Sequence, residues 1–180
     1  MDEPCPYQCN YKIGPSSMVL YNNALHFVTS LKNIIGFELG SEKFYEVPLP
    51  SDPLVVRYQP IELASLRGCL HLVRLTEIWI MKEYGVQESW TKLFRFSDAN
   101  ENGLFDRKIL GQRRIMPYAY SEDGREILVA LDIRDNKILH LDLQSREFKK
   151  LEISGLPKDW TYWARFGYAM PWVGSFVHPS

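Results

Sequence analysis

The chain has 180 residues, which is the size of one ordinary domain or of a large part of one. Its hydrophobic fraction of 46% and charged fraction of 24% are ordinary for a globular protein and exclude a disordered chain. Lysine and arginine number 21 against 22 acidic residues, so the basic excess that a general nucleic-acid binder needs is missing. No apolar run approaches the roughly 20 residues of a membrane-spanning helix.

The N-terminal residues and the cysteines indicate the compartment. Residues 1–10 are acidic and interrupted by proline, which is unlike a signal peptide. The sequence has three cysteines, Cys5, Cys9 and Cys69, and it has no Asn-x-Ser/Thr glycosylation acceptor. Both features favour a reducing environment, so we expect a cytoplasmic or nuclear protein.

Apolar residues alternate with polar or small ones along much of the chain, and this period of two predicts β-strands. The clearest alternating sets, in chain order, are Ile35, Phe37 and Leu39; Ile78 and Ile80; Ile127 and Val129; and Leu139, Leu141 and Leu143. Turn-forming residues such as Asn22-Asn23 and Arg67-Gly68 separate the sets. Short strands at this spacing are typical of antiparallel hairpins in a sandwich, barrel or propeller. The best helix candidate is a short turn within residues 97–112.

Short motifs recur along the chain, and the pair at residues 24–28 and 69–73 is 45 residues apart. Residues 37–47 and 141–151 both read apolar, acidic, Leu, any, Ser, any, any, Phe, any, any, apolar. Residues 24–28 (Ala-Leu-His-Phe-Val) similarly match residues 69–73 (Cys-Leu-His-Leu-Val). Each repeat predicts a small antiparallel sheet that cannot bury both faces alone, so the sheets must stack, and the period suits a propeller blade.

These repeats predict an all-β, antiparallel fold of propeller-like stacked small sheets, with a β-sandwich as the alternative. We place the units at residues 18–50, 61–96 and 113–153, with a remnant at 160–177. Three blades make a partial propeller, because closed rings typically need about four to eight. The β domain is expected over residues 15–180, after an irregular or disordered segment 1–14. Phe44, Trp90 and Phe148 should hold equivalent buried positions in the three units.

The most specific stretch is residues 78–94, Ile-Trp-Ile-Met-Lys-Glu-Tyr-Gly-Val-Gln-Glu-Ser-Trp-Thr-Lys-Leu-Phe. It resembles the signature of the plant F-box-associated domain, type 1, which occurs in F-box proteins that include the S-locus F-box type. Shorter stretches fit that family in the same order, at residues 23–27, 35–39, 44–50, 68–70, 141–143 and 148–151. The resemblance covers about residues 15–177, nearly the whole chain.

The resemblance implies a protein-binding domain that recognises the substrate of an SCF-type ubiquitin ligase, and not an enzyme. In that family an N-terminal F-box helix bundle binds the ligase adaptor, and the β domain presents the target protein. No F-box-like segment precedes residue 15, so the expectation is a truncated form or a fragment that reaches the adaptor and cullin only through an F-box outside this chain. The expected partner is the target protein, with no nucleic acid, membrane or cofactor.

Residues that could carry chemistry do not form a recognisable site in the sequence. His26 and His71 hold equivalent places in the repeat, and we interpret them as half-buried strand residues with a backbone partner. Cys5 and Cys9 lack a second pair of ligands for zinc. The acidic pairs Glu122/Asp123 and Asp132/Asp135 are interpreted as ordinary turn residues, His140 as a residue of a solvated strand face, and Cys69 and Trp90 as core. No catalytic, cofactor or metal residue is therefore predicted.

The longest interruption of the repeat is the candidate partner surface. Aromatic and arginine residues dominate binding hot spots, and loops can vary freely while strands cannot. The candidate contact residues are Leu104, Phe105, Arg107, Lys108, Arg113 and Arg114. A solvated spacer is the competing interpretation of this segment. Two other functions stay open, namely a hydrolase or oxidase on a propeller-like scaffold and a lectin-like carbohydrate-binding module.

Overall fold

The computed structural model describes residues 18–29, 33–51, 61–74, 77–95, 115–131 and 137–151. In this part of the chain twelve strands form three four-stranded antiparallel sheets. Sheet 1 contains β1 (Met18–Tyr21), β2 (Ala24–Val28), β3 (Ile34–Glu38) and β4 (Lys43–Val47). Sheet 2 contains β5 (Ile61–Leu66), β6 (Cys69–Arg74), β7 (Glu77–Met81) and β8 (Trp90–Arg95). Sheet 3 contains β9 (Ile115–Tyr120), β10 (Glu126–Leu131), β11 (Lys137–Asp142) and β12 (Phe148–Lys150).

Each sheet is a meander in which strands that follow one another in the chain are hydrogen-bonded neighbours. The turn between β1 and β2 consists of Asn22 and Asn23, whose φ angles are 47° and 56°. Arg67 and Gly68, with φ angles of 48° and 66°, form the equivalent turn between β5 and β6. Two successive residues with positive φ give the hairpin turn whose twist matches that of the flanking strands, and Asn and Gly adopt it at low cost.

The three sheets stack in chain order, and a hydrophobic cluster fills each of the two gaps between them. Between sheets 1 and 2 the buried residues are Ile34, Val47, Leu63, Leu70, Leu72, Trp79, Met81 and Trp90. Between sheets 2 and 3 they are Val73, Ile78, Phe94, Ile115, Ile127, Val129, Leu139, Leu141 and Phe148. The first strands of successive sheets are also neighbours, since β5 contacts both β1 and β9. Sheet 2 therefore buries both faces, and the arrangement is that of stacked propeller blades.

Strand register aligns one row of four residues across each sheet. In sheet 3 the row is Tyr120, Ile127, Leu141 and Phe148, and in sheet 2 it is Ser65, Leu70, Met81 and Trp90. The sheet 1 row is Leu20, Leu25, Phe37 and Phe44. The sheet 3 row packs on sheet 2, and the sheet 2 row packs on sheet 1.

The prediction of an all-β stack of small antiparallel sheets is confirmed, and the observed sheets match the predicted units. Three stacked sheets favour the propeller-like arrangement over the β-sandwich. In the described ranges the helical structure is one short 3-10 turn, Gln87–Ser89. The helix candidate at 97–112, the remnant at 160–177 and the segment 1–14 lie outside the described residues.

The predicted equivalence of Phe44, Trp90 and Phe148 is confirmed, because all three hold the last place in these rows. Trp90 and Phe148 are buried, with 7% and 8% of their surface exposed. The prediction that Phe44 is buried was wrong, since it is only half-buried. Phe44 lies on the edge strand β4, on the face of sheet 1 that points away from sheet 2, whereas Phe27 and Ile35 on the inner strands of that face are buried.

Candidate functional site

The two ends of the stack differ in construction. In each meander the connections between the first and second strands and between the third and fourth strands meet at one end. We call this the turn end, and its connections cover residues 22–23, 39–42, 67–68, 82–89, 121–125 and 143–147. The opposite end is here called the connection end. It carries the remaining links, including the two longest, residues 48–60 and 96–114.

Side chains at the turn end join each sheet to the next. The hydroxyl of Tyr21 in sheet 1 donates a hydrogen bond of 2.9 Å to the carbonyl oxygen of Gly68 in sheet 2. Arg67 of sheet 2 extends to sheet 3, where its guanidinium carbon lies 5.7 Å from the centroid of the Tyr120 ring. One guanidinium nitrogen also lies 3.5 Å from the carbonyl oxygen of Ser121. Gly124 has a φ of 76°, a backbone conformation that favours glycine, and a β-carbon there would also displace the end of the Arg67 side chain.

A cluster of one histidine and three tyrosines lies between sheets 1 and 2. His26 Nε2 and the Tyr84 hydroxyl are 2.6 Å apart, and the Tyr84 hydroxyl also hydrogen-bonds to that of Tyr45. The Tyr21 ring packs edge-on against that of Tyr84 at a centroid distance of 5.3 Å. Gly36 lies directly opposite Tyr45 in the sheet, and a β-carbon on Gly36 would clash with the Tyr45 ring. The glycine therefore lets the Tyr45 side chain lie across β3 and reach Tyr84.

His71 makes the corresponding contact between sheets 2 and 3. Its Nε2 lies 2.9 Å from the Tyr120 hydroxyl, and its Nδ1 lies 3.1 Å from the carbonyl oxygen of Cys69. His26 and His71 are both fully buried, so their predicted half-burial was wrong, although His71 does have the predicted backbone partner. Each histidine thus hydrogen-bonds to a tyrosine hydroxyl of the following sheet.

The ionisation of these groups argues for a structural role. Burial lowers the pKa of His71 to about 4 and also lowers that of His26, so both rings are neutral at pH 7. The peptide groups of Val19 and Ala24 offset part of the effect at His26, although its buried Nδ1 forms no hydrogen bond of normal geometry. Burial raises the pKa of Tyr120 to about 12 and raises that of Tyr84 strongly. Neutral rings and protonated hydroxyls connect the sheets, and a lowered pKa makes each imidazole a weaker base than an ordinary histidine.

An acidic cleft of about 540 Å³ lies at the turn end of sheet 3. Ser121, Glu122, Asp123, Arg125, Glu126 and Asp142 line it. Asp123 accepts hydrogen bonds from the Ser121 hydroxyl and the Arg125 amide, at 2.7 Å and 3.0 Å. Asp142 accepts bonds from the amides of Gln144 and Ser145, both at 2.8 Å. These contacts are ordinary turn chemistry, as predicted for Asp123, and they lower the pKa of both aspartates.

The connection end of sheet 2 holds a buried carboxylate among cations. Glu77 is 7% exposed, and its Oε1 lies 2.9 Å from Lys92 Nζ and 2.7 Å from Arg95 Nε. Its Oε2 lies 3.7 Å from Arg74 and accepts a bond of 3.0 Å from the Trp79 indole nitrogen. Burial alone raises the pKa of Glu77, but the bonds from Lys92, Arg95 and Trp79 outweigh it and hold the pKa below its ordinary value. We call Arg74, Glu77, Lys92 and Arg95 the Glu77 cluster.

The structure describes only some of the residues singled out in the sequence. The six candidate contact residues, Leu104, Phe105, Arg107, Lys108, Arg113 and Arg114, lie outside the described residues, as do Cys5, Cys9, Asp132 and Asp135. Trp79 and Trp90 are both buried between sheets 1 and 2, which confirms Trp90 as core and places Trp79 there as well. His140 is half-buried and pairs with Glu126 at 3.1 Å, on the face of sheet 3 that points away from sheet 2.

Sequence reasoning missed the tyrosine contacts and the Glu77 cluster. Tyr84 is 58 residues from His26 and 39 residues from Tyr45 along the chain, so no local spacing reveals the contact. The recurrence of histidine at equivalent places of the repeat was the one feature of the sequence that pointed to the histidine–tyrosine contacts. Within the described ranges no group of three or more His, Cys, Asp or Glu residues could hold a metal ion. The same ranges contain no helix long and apolar enough to cross a membrane.

The chain is similar to several plant F-box proteins, although no protein-family model matches it. F-box protein CPR1 of Arabidopsis thaliana is 28% identical over 156 residues, which cover 79% of this chain and 36% of the relative. F-box protein At3g07870 of the same plant is 31% identical over 163 residues, covering 79% of this chain and 38% of the relative. The chain thus spans little more than a third of the length of these relatives. Its homologues are plant F-box proteins, in agreement with the F-box-associated domain that its motifs resemble.

Proposed function

We propose that this chain is the target-binding part of an F-box-type substrate receptor of an SCF ubiquitin ligase. Homology to F-box proteins supports the receptor class. In this proposal the three sheets bind the protein that is to be ubiquitinated. The adaptor and the cullin are reached through an F-box, which is a separate element from the sheets.

We infer that the target binds at the connection end. The observation that carries this inference is the contrast between the two ends. Side chains of successive sheets bridge the turn end, whereas the long connection 96–114 joins sheets 2 and 3 at the other end. That connection leaves β8 at Arg95, a member of the Glu77 cluster, and enters β9 at the buried Ile115. Segments that connect the strands of a rigid scaffold often carry the residues that bind a partner.

The six candidate contact residues belong to this connection and supply the chemistry of the interface. Phe105 and Leu104 offer apolar area, and four cations offer bidentate or point-charge contacts to an acidic partner. In the proposal these cations also accelerate encounter with an acidic target surface, an effect that salt weakens. The Glu77 cluster contributes by fixing the direction in which β8 ends.

The test is a chimera in which the F-box of one of the Arabidopsis relatives precedes this chain. The chimera is reconstituted with adaptor, cullin and the ubiquitination enzymes, and plant extract proteins are supplied as substrates. Proteins ubiquitinated by the chimera but not by the F-box alone are expected. No difference between the two would contradict a receptor function. Binding of the isolated chain to a glycan array would instead favour the lectin-like alternative.

A further inference from the structure

We draw no further inference here: the strongest candidate, the cleft lined by carboxylates at the turn end of sheet 3, is an acidic cluster in which Asp123 and Asp142 accept hydrogen bonds from their own turns, and nothing in the described part of the chain identifies a ligand for it.

Discussion

His71 and Tyr120 join two neighbouring sheets through a buried contact of 2.9 Å between the imidazole Nε2 and the phenol hydroxyl. The histidine is neutral there, because burial lowers its pKa to about 4 from an ordinary value of 6.5. The unfolded chain therefore binds a proton between these pH values and the folded chain does not. Stability from this site is fully present above pH 6.5 and is lost as the pH falls toward 4.

We expect the free energy of unfolding to fall by about 3 kcal/mol for His71 alone between pH 6.5 and 4, with a further loss from His26, whose pKa is lowered in the same direction. Urea denaturation at steps across this range measures the slope. In His71→Gln the side chain at position 71 no longer titrates in this interval while His26 still does, so the slope should become shallower but not vanish. An unchanged slope in His71→Gln would show that other groups dominate the acid sensitivity.

The steric relationship between Gly36 and Tyr45 predicts a destabilising substitution. Gly36→Ala should lower the free energy of unfolding by about 1–3 kcal/mol, because the new methyl group displaces the Tyr45 ring from Tyr84. Gly40→Ala is the control, since its added carbon meets nothing closer than 3.7 Å. In a double-mutant cycle with Tyr45→Ala the cost of Gly36→Ala should largely disappear. An equal cost in both backgrounds would mean that another contact is responsible.

The Glu77 cluster predicts a strong effect from removing one negative charge. Glu77→Gln keeps the size of the side chain but leaves Arg74, Lys92 and Arg95 without this carboxylate. We expect the free energy of unfolding to fall by about 3 kcal/mol. This is the lower end of the range for breaking a buried ion pair, because the side chains of Lys92 and Arg95 are 28% and 35% exposed. Glu88→Gln, at an exposed position of the turn end, should change stability by less than about 0.5 kcal/mol. Similar effects for the two substitutions in chemical denaturation would contradict the structure.

The repeat could be predicted from sequence because each sheet is a local meander. The period-two alternation and the turn residues of one unit lie within about 45 residues, so the sequence alone predicts the equivalence of Phe44, Trp90 and Phe148. Burial of Phe44 could not be predicted in the same way. It depends on what lies on that face and on the place of β4 at the edge of its sheet, and these are properties of the assembled fold and not of the strand.

The polar contacts between sheets could not be predicted from the sequence either. His26 and Tyr84 lie in different sheets, and their contact depends on the angle and spacing at which those sheets pack. Glu77 begins an apolar strand and has the sequence context of an exposed strand end, yet three cations and an indole allow it to be buried. Local patterns thus reveal strands and turns, whereas long-range polar pairs are fixed only when the sheets assemble.

The most direct test of the account is target ubiquitination by the chimera carrying Phe105→Ala and Arg107→Ala. The proposal expects ubiquitination of its specific targets to fall at least tenfold, with an unfolding temperature unchanged from wild type. Replacement of Glu88 and Glu122 by alanine at the turn end is the matched control, and it should leave ubiquitination intact. Full ubiquitination by a stable Phe105/Arg107 variant, together with its loss in the turn-end control, would contradict target binding at the connection end.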